Sequence, residues 1–488
     1  MSKTIVAFAN AFIKHSVTSD PVVQALTLRI EPEHAWIITG PLGSGKTTIL
    51  DTIRGKNWVD PKSVQHPFLQ KKLWPTDVIK MLDSRVTTTG GSAYYSERYH
   101  SRREDDSSLR EWLSMGRKAE NTDELVMDAA QRLGLVELLD ASTMNLSNGQ
   151  SKRATIARVL LDEPEVLLLD EPYVGLDVRA RENLNNVLGH LHKSGDTKLV
   201  LAIRPMDKIP PWATHVLWMN SDGTTRYVGP APEILPELEA DLSTRVAHIK
   251  AEQEAYGSGT GEVLVDLKNV NVAYWGKDVL KQVDWTIRAG EKWLLSGSNG
   301  SGKTTLLAMI LGDHPKAYAN EIYLFGRRRS TRDGRSVFEL QREMGHTSPE
   351  LHKHFPLYRT AKQCIQSAFG ESFHPPRQLD ASQTQKVNDV VAYFNLEQHL
   401  DSKMSDLSPA LQRLFLLVRA LVKKPKIVVL DEPFAGMDDS MIHRAKMYIN
   451  EEVKGDQAVL FVTHYEDEVP ASVTRVLTLD KGRVIDVK

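Results

Sequence analysis

Two glycine-rich segments carry the residue types needed to hold a polyphosphate. They are Gly40-Pro-Leu-Gly43-Ser44-Gly45-Lys46-Thr47-Thr48 and Gly297-Ser-Asn299-Gly300-Ser301-Gly302-Lys303-Thr304-Thr305, 257 residues apart. Several consecutive backbone N–H groups must converge on one anion at the positive end of a helix, which only a glycine-rich turn allows. Lys46 and Lys303 add a mobile charge for the β- and γ-phosphates, and Thr47 and Thr304 offer a hydroxyl to Mg2+. Farther along, Val166-Leu-Leu-Leu-Asp170-Glu171-Pro172 is echoed by Ile427-Val-Val-Leu-Asp431-Glu432-Pro433. Asp170 and Asp431, at the ends of apolar strands, would hold the same cation directly or through water. Glu171 and Glu432 would then stand beside the terminal phosphate, each a candidate general base for an attacking water, or else a second support for the metal or the loop. The implied chemistry is binding and hydrolysis of ATP with Mg2+, provided for twice in one chain.

The elements that must position these groups also occur twice. An apolar strand precedes each loop (Ala35 to Ile38, Trp293 to Leu295), and a helix-forming run follows it. Gly175-Leu-Asp177 is matched by Gly436-Met-Asp438, and Leu146-Ser147-Asn148-Gly149-Gln150 by Leu407-Ser408-Pro409-Ala410-Leu411, at a constant spacing of 261 residues. Short apolar strands (Leu199 to Ile203, Val459 to Val462) alternate with helical stretches, so each copy is expected to be α/β with a largely parallel central sheet. We place the domains at residues 1–231 and 263–488. Residues 232–262 form a linker in which Leu235, Leu238, Leu242, Val246 and Ile249 recur at helical spacing before a hinge, Gly257 to Gly261.

Composition sets the limits. At 488 residues the chain is too long for a single small module, and its 41% hydrophobic and 25% charged residues are those of a globular protein. Sixty-one basic against 63 acidic residues leave a net charge of −2, with no global attraction to nucleic acid or anionic membrane. One cysteine, Cys364, supports neither an internal disulfide nor a cysteine metal site, and suits a reducing compartment. The longest apolar run is six residues, Leu306 to Leu311, far short of the roughly 20 that span a bilayer. We therefore expect an intracellular soluble protein in the cytoplasm. The mitochondrial matrix is the alternative, because Met1 to Thr18 is basic without acids; the same stretch reads as a first buried strand through Ile5, Val6, Phe8, Phe12 and Ile13.

The two phosphate loops, the Asp-Glu-Pro segments and Leu146 to Gln150 together resemble the ABC ATPase family over nearly the whole chain. The resemblance implies two tandem P-loop NTPase domains of the ABC type, each with a helical subdomain. It also implies that they associate head to tail around two ATP molecules, each held between one half's phosphate loop and the other half's signature. Ser147, Asn148, Gly149 and Gln150 look like a signature, and His464, after the strand Val459 to Val462, matches the switch histidine. Tyr274, 23 residues before Gly297, looks like the aromatic that stacks on adenine, or else is an ordinary strand tyrosine; Phe12 and His15 are the nearest candidates in the first half.

On that pairing the two sites differ. One joins Lys303, Thr304, Asp431, Glu432 and His464 to the complete signature of the first half. The other joins Lys46, Thr47, Asp170 and Glu171 to Ser408-Pro409-Ala410-Leu411, where Pro409 has no N–H to give and only Ser408 survives; Arg204 stands at the histidine position. Pro409 would also suit the first turn of a helix. Hydrolysis is expected mainly at the Lys303 site. Glu97 and Glu350 are the nearest substitutes for the family's glutamine. The stretch from Gly312 to Arg329 is similar to the tandem branch that includes ModF and the photorepair proteins. The first reading is a soluble ATPase whose closing and opening acts, clamp-like and without transport, on an unidentified protein or other macromolecular partner. The alternatives are service to separate membrane subunits, or contact with nucleic acid or the ribosome through Arg327 to Arg329, Arg332, Arg335 and the run Tyr94 to Arg103.

Overall fold

A computed structural model of the chain describes residues 4–16, 18–41, 43–60, 62–67, 69, 74–83, 107–117, 121–143, 146, 148–195, 197–253, 261–274, 277–330, 337–371 and 373–488. Among the expectations above, Ser147, Glu97, Arg332, Arg335, the run from Tyr94 to Arg103 and residues 257–260 of the hinge lie outside the described residues. The chain divides into two compact units, Met1–Thr244 and Arg245–Lys488, with the division falling inside the helix Ala231–Gln253. That helix begins five residues before Pro236.

The first unit is built on a six-stranded sheet in the order Ile79–Asp83, Val166–Asp170, Lys198–Ala202, Trp36–Thr39, His215–Met219, Thr225–Pro230. The first five strands run parallel and the last is antiparallel. The second unit repeats the pattern with Met344–Thr347, Ile427–Asp431, Ala458–Val462, Lys292–Gly297, Arg475–Asp480 and Arg483–Val487. The α/β expectation with a largely parallel sheet holds in both. Strands such as Val166–Asp170 and Ala458–Val462 are buried at every position because helices or a second sheet cover both faces. Period-two alternation then sends Val166 and Leu168 to one apolar core and Leu167 and Leu169 to another. Ile427 and Val429 part from Val428 and Leu430 in the same way.

A small antiparallel sheet flanks each parallel one: Val6–Ile13 with Val23–Ile30 and Val64–Gln65 in the first unit, Val263–Tyr274 with Lys277–Arg288, Glu321–Leu324 and Arg327–Arg328 in the second. Phe12 corrects the sequence reading. It is 45% exposed rather than buried. Asn10 adopts a left-handed φ of 49°, and the pairing shifts between Phe8 and Ala11. The bulge reverses the alternation, so Val6 and Phe8 point inward before it, Ala11 and Ile13 after it, and Phe12 is turned out.

A helical layer accompanies each sheet. Leu109–Ser114, Thr122–Arg132 and Asn148–Leu160 pack around Trp112, Leu113, Val126 and Ala130. Ala361–Gln366, Ala381–Phe394 and Pro409–Leu421 do so around Ile365, Val390, Phe394 and Phe415.

Candidate functional site

In each unit the functional groups collect at the carboxyl ends of three adjacent strands. Asp170 pairs with Ala202 across the sheet, and the strand Lys198–Ala202 lies between the Asp170 strand and the strand that feeds the phosphate loop. In the second unit Asp431 pairs with Val462, next to Lys292–Gly297. Ligands of open α/β sheets bind at this edge.

Gly45 and Gly302 cap the helices Lys46–Ile53 and Lys303–Leu311 in left-handed conformations, with φ of 92° and 105°. A Cβ on Gly45 would lie 2.6 Å from Val23 Cγ2, and one on Gly302 2.8 Å from Leu280 Cδ2, so the small sheet presses each loop into shape. Gly43 and Gly300, also left-handed, have nothing against the position of a Cβ, which leaves the loop's open side to a ligand. Lys46 Nζ donates to Gly40 O at 2.6 Å and Pro41 O at 2.9 Å; Lys303 Nζ donates to Gly297 O at 2.7 Å and Ser298 O at 3.1 Å. Ser44 Oγ and Ser301 Oγ are buried without a hydrogen-bond partner. Such buried hydroxyls, in a glycine-rich turn that opens a helix, fit a phosphate oxygen. Thr48 and Thr305 are buried in the first helical turn, and Thr304 is exposed there. Asn299 is half-buried in its loop.

Thr47 Oγ1 donates to Asp170 Oδ2 at 2.7 Å, which brings together the two groups expected at the cation of the first unit. Asp431 carries a carboxyl pushed well above the usual range, first by burial and then by the Glu432 and Glu350 carboxylates, with Lys303 opposing. A divalent cation beside Asp431 would offset that burial and favour its ionised form. Glu350 reaches this group because the strand Met344–Thr347 runs parallel to Ile427–Asp431 and delivers the next turn to the same edge.

Glu171 and Glu432 each take a left-handed φ, 48° and 45°. Each donates its backbone N–H to the neighbouring strand, Glu171 to Ala202 O at 2.8 Å and Glu432 to Val462 O at 2.9 Å. Their side chains part company there. His464 Nε2 stands 3.5 Å from Glu432 Oε1, with Glu432 27% exposed. Arg204 Nε stands 3.5 Å from Glu171 Oε2, with both side chains under 10% exposed. Asp207 and Arg181 extend the first-unit group: Arg204 N donates to Asp207 Oδ2 at 3.1 Å, and Arg181 lies 3.5 Å from Asp207 Oδ1. Burial pushes the Asp207 carboxyl up, while the two arginines oppose it. Sequence reading missed this pair; the only signal was an acid three residues after Arg204, which many turns share.

Asn148, Gly149 and Gln150 begin the helix Asn148–Leu160, where a Cβ on Gly149 would lie 3.0 Å from Ala180 Cβ. In the second unit Ser408 caps the helix Pro409–Leu421, its Oγ accepting from Leu411 N at 3.3 Å, with Pro409 in the first turn. The proline fits the helix, and the hydroxyl of Ser408 accepts the capping bond.

Tyr274 lies at the end of its strand, its hydroxyl hydrogen-bonded to His314 Nε2 and its ring 5.0 Å from Lys316 Nζ. Burial and then Lys316 push His314 down to about 4, so the imidazole is neutral. Val272 pairs with Leu280, and Ile13 with Val23; Leu280 and Val23 hold the same place against Gly302 and Gly45. Two residues farther along, His15 is therefore the first-unit counterpart of Tyr274.

Comparison with known proteins agrees with this geometry. The ABC transporter family model matches residues 23–174 and again 280–435. An uncharacterised ABC transporter ATP-binding protein of Schizosaccharomyces pombe is 40% identical over 471 residues, covering 95% of this chain and 96% of that protein. One of Saccharomyces cerevisiae is 29% identical, covering 96% of each. The ABC transporter ATP-binding protein ModF of Escherichia coli is 32% identical over 361 residues, 72% of this chain and 73% of its own. Among solved structures, cbiO1 of Clostridium perfringens is 21% identical with a TM-score of 0.40, covering 51% of this chain and 95% of that one.

Proposed function

Because the chain belongs to the ABC transporter family of ATP-binding proteins, as an ATPase with two tandem nucleotide-binding domains, we propose that its two halves divide the work unequally. ATP and Mg2+ bind at both phosphate loops, and hydrolysis runs mainly where Lys303, Asp431, Glu432 and His464 meet. The halves close head to tail, each loop facing the other's signature, and the cycle of closing and opening acts on a macromolecular partner. We place the domains at 1–231 and 263–488, joined by 232–262, and the protein in the cytoplasm. Among the described residues no helix is long and apolar enough to cross a membrane.

The observation that carries the unequal division is the contrast between the two glutamates. Glu432 faces a histidine, which can donate a hydrogen bond to phosphate without permanently pairing the carboxylate. Its exposure leaves room for a water. Glu171 is enclosed with a permanently charged guanidinium. Roles follow from the chain's own groups: the loop amides and lysines hold the phosphates, the aspartates and Thr47 or Thr304 hold the cation, and Glu432 takes the proton from water. Mg2+ supplies charge neutralisation on the β- and γ-oxygens when bound. Steady-state ATPase rates of Glu432→Gln and Glu171→Gln test the reading, and equal losses would sink it. Glu432→Gln held in ATP should also retain the partner, whose membrane, ribosomal or other character decides among the modes of action.

A further inference from the structure

In the first unit two histidines stand face to face at the amino ends of adjacent strands. His34 closes the turn that precedes Trp36–Thr39, His215 opens the strand His215–Met219, and their ring centroids lie 3.8 Å apart with 31° between the planes. We propose that this pair is a proton-sensitive clasp, which holds the turn 31–34 on the strand His215–Met219 while at most one ring is charged and releases it when both are.

The second unit shows the same frame built with opposite charges. At the 257-residue spacing of the phosphate loops, His34 corresponds to Glu291, and strand register sets His215 beside Trp36 as it sets Arg475 beside Trp293. The turns agree: His34 N donates to Glu31 O at 3.0 Å, and Glu291 N to Arg288 O at 3.1 Å. There Arg475 Nη2 lies 3.5 Å from Glu291 Oε1, and Trp293 Nε1 donates to Glu291 Oε2 at 2.9 Å. A carboxylate and a guanidinium keep their charges throughout the range in which an imidazole titrates. In the first unit two rings replace the ion pair, and Trp36 Nε1 is buried without a hydrogen-bond partner.

The surroundings accept one proton more readily than two. A single proton leaves a neutral ring stacked on a charged one, whereas two imidazolium charges a ring's thickness apart repel. His34 Nδ1 is buried with no partner, so charging that ring puts an N–H there with nothing to receive it. The buried Trp36 ring backs the pair, 4.8 Å from His215 and 6.1 Å from His34. Burial, then His34, holds the His215 imidazole below its ordinary value, while the Glu31 carboxylate opposes them. Trp36 and Pro230, the partners of His215 on the neighbouring strands, are uncharged, and Thr214 Oγ1 lies 3.0 Å from His215 Nδ1. Glu33, on the same turn, is exposed. Because Trp36–Thr39 leads directly into Gly40, release of the turn loosens the root of the first phosphate loop.

The test compares the full wild-type chain with His34→Glu/His215→Arg, which transplants the second unit's pair, and with His34→Gln, which leaves a single imidazole. In the unfolded chain both imidazoles take a proton as pH falls below about 6.5; the folded pair takes fewer, so stability is lost in that direction. Between pH 7.5 and 5.5, urea unfolding should show the wild type losing at least about threefold more of its folded-to-unfolded ratio than either variant. The remaining titrating groups are common to all three proteins and cancel. Amide hydrogen exchange of the wild type, scaled to free-peptide rates, should quicken over the same interval at residues 31–36 and not at 288–293. Equal losses in the wild type and His34→Gln, or the same change in exchange at both turns, would overturn the clasp.

Discussion

Arg204 Nε lies 3.5 Å from Glu171 Oε2 at the end of one central sheet, in the place that His464 occupies beside Glu432 at the end of the other. The two pairs look alike on the page of a sequence, an Asp-Glu followed by a residue after the next strand, yet they differ in kind. Arg204 and Glu171 are a buried ion pair tied through the Arg204 backbone to Asp207, whereas His464 and Glu432 meet where the carboxylate is still open to solvent.

The difference should separate stability from catalysis. Arg204→Ala removes the guanidinium from beside the buried Glu171 carboxylate, and breaking a buried pair costs about 3–5 kcal/mol. The variant should unfold its first unit at clearly lower denaturant, measured by tryptophan fluorescence, with a smaller change in ATPase rate. His464→Ala should do the reverse, lowering the rate sharply while the unfolding midpoint moves little.

For the glutamates themselves, Glu432→Gln should lower steady-state turnover by roughly 10²–10⁴, the usual contribution of a positioned base. Glu171→Gln should change it by less than about twofold and leave ATP bound. A rapid-quench measurement of one turnover, set beside the steady-state rate, distinguishes loss of chemistry from loss of binding.

What could be read in advance follows a physical rule. The phosphate loops were legible because backbone amides can converge only where glycines allow left-handed turns, so Gly45 and Gly302 mark their own positions. Asp170 and Asp431 were legible because an acid ending an apolar strand has few other uses. Pairings made by distant segments left no local mark. The role of Asp207, the capping by Ser408, and the meeting of His346 with Lys423 all depend on register and packing. Phe12 was misjudged because one left-handed residue, Asn10, reverses an alternation that composition alone suggests is continuous. His15 could be matched to Tyr274 only through strand pairing, since different lengths of chain separate each from its partner strand.

Tyr274 offers a separable test of nucleotide contact. If its ring stacks on adenine, Tyr274→Ala should weaken ATP binding at the second loop by about tenfold, within the 1–3 kcal/mol that base stacking contributes. Tyr274→Phe keeps the ring and gives up only the bond to His314, so its affinity should stay within about twofold of wild type. Titration with a fluorescent ATP analogue measures both, and equal losses would assign Tyr274 to holding the hairpin instead.

His346 should leave a signature in the pH dependence of stability. Its imidazole titrates near 6.5 in the unfolded chain and is pushed down to about 3 in the folded one, by burial first and then by Arg419 and Lys423. Between those values the unfolded chain binds a proton that the folded chain does not, so stability falls as pH drops from about 6.5 toward 3 and is unaffected by this group above 6.5. His346→Met, which installs the residue found at the same register in the first unit, removes that proton from the balance. The urea midpoints of wild type and variant should keep a constant separation from pH 8 to pH 7 and then shift in the variant's favour as pH falls to 5. A separation that stays constant throughout would show that His346 is hydrated in solution rather than enclosed between the sheet and the helix.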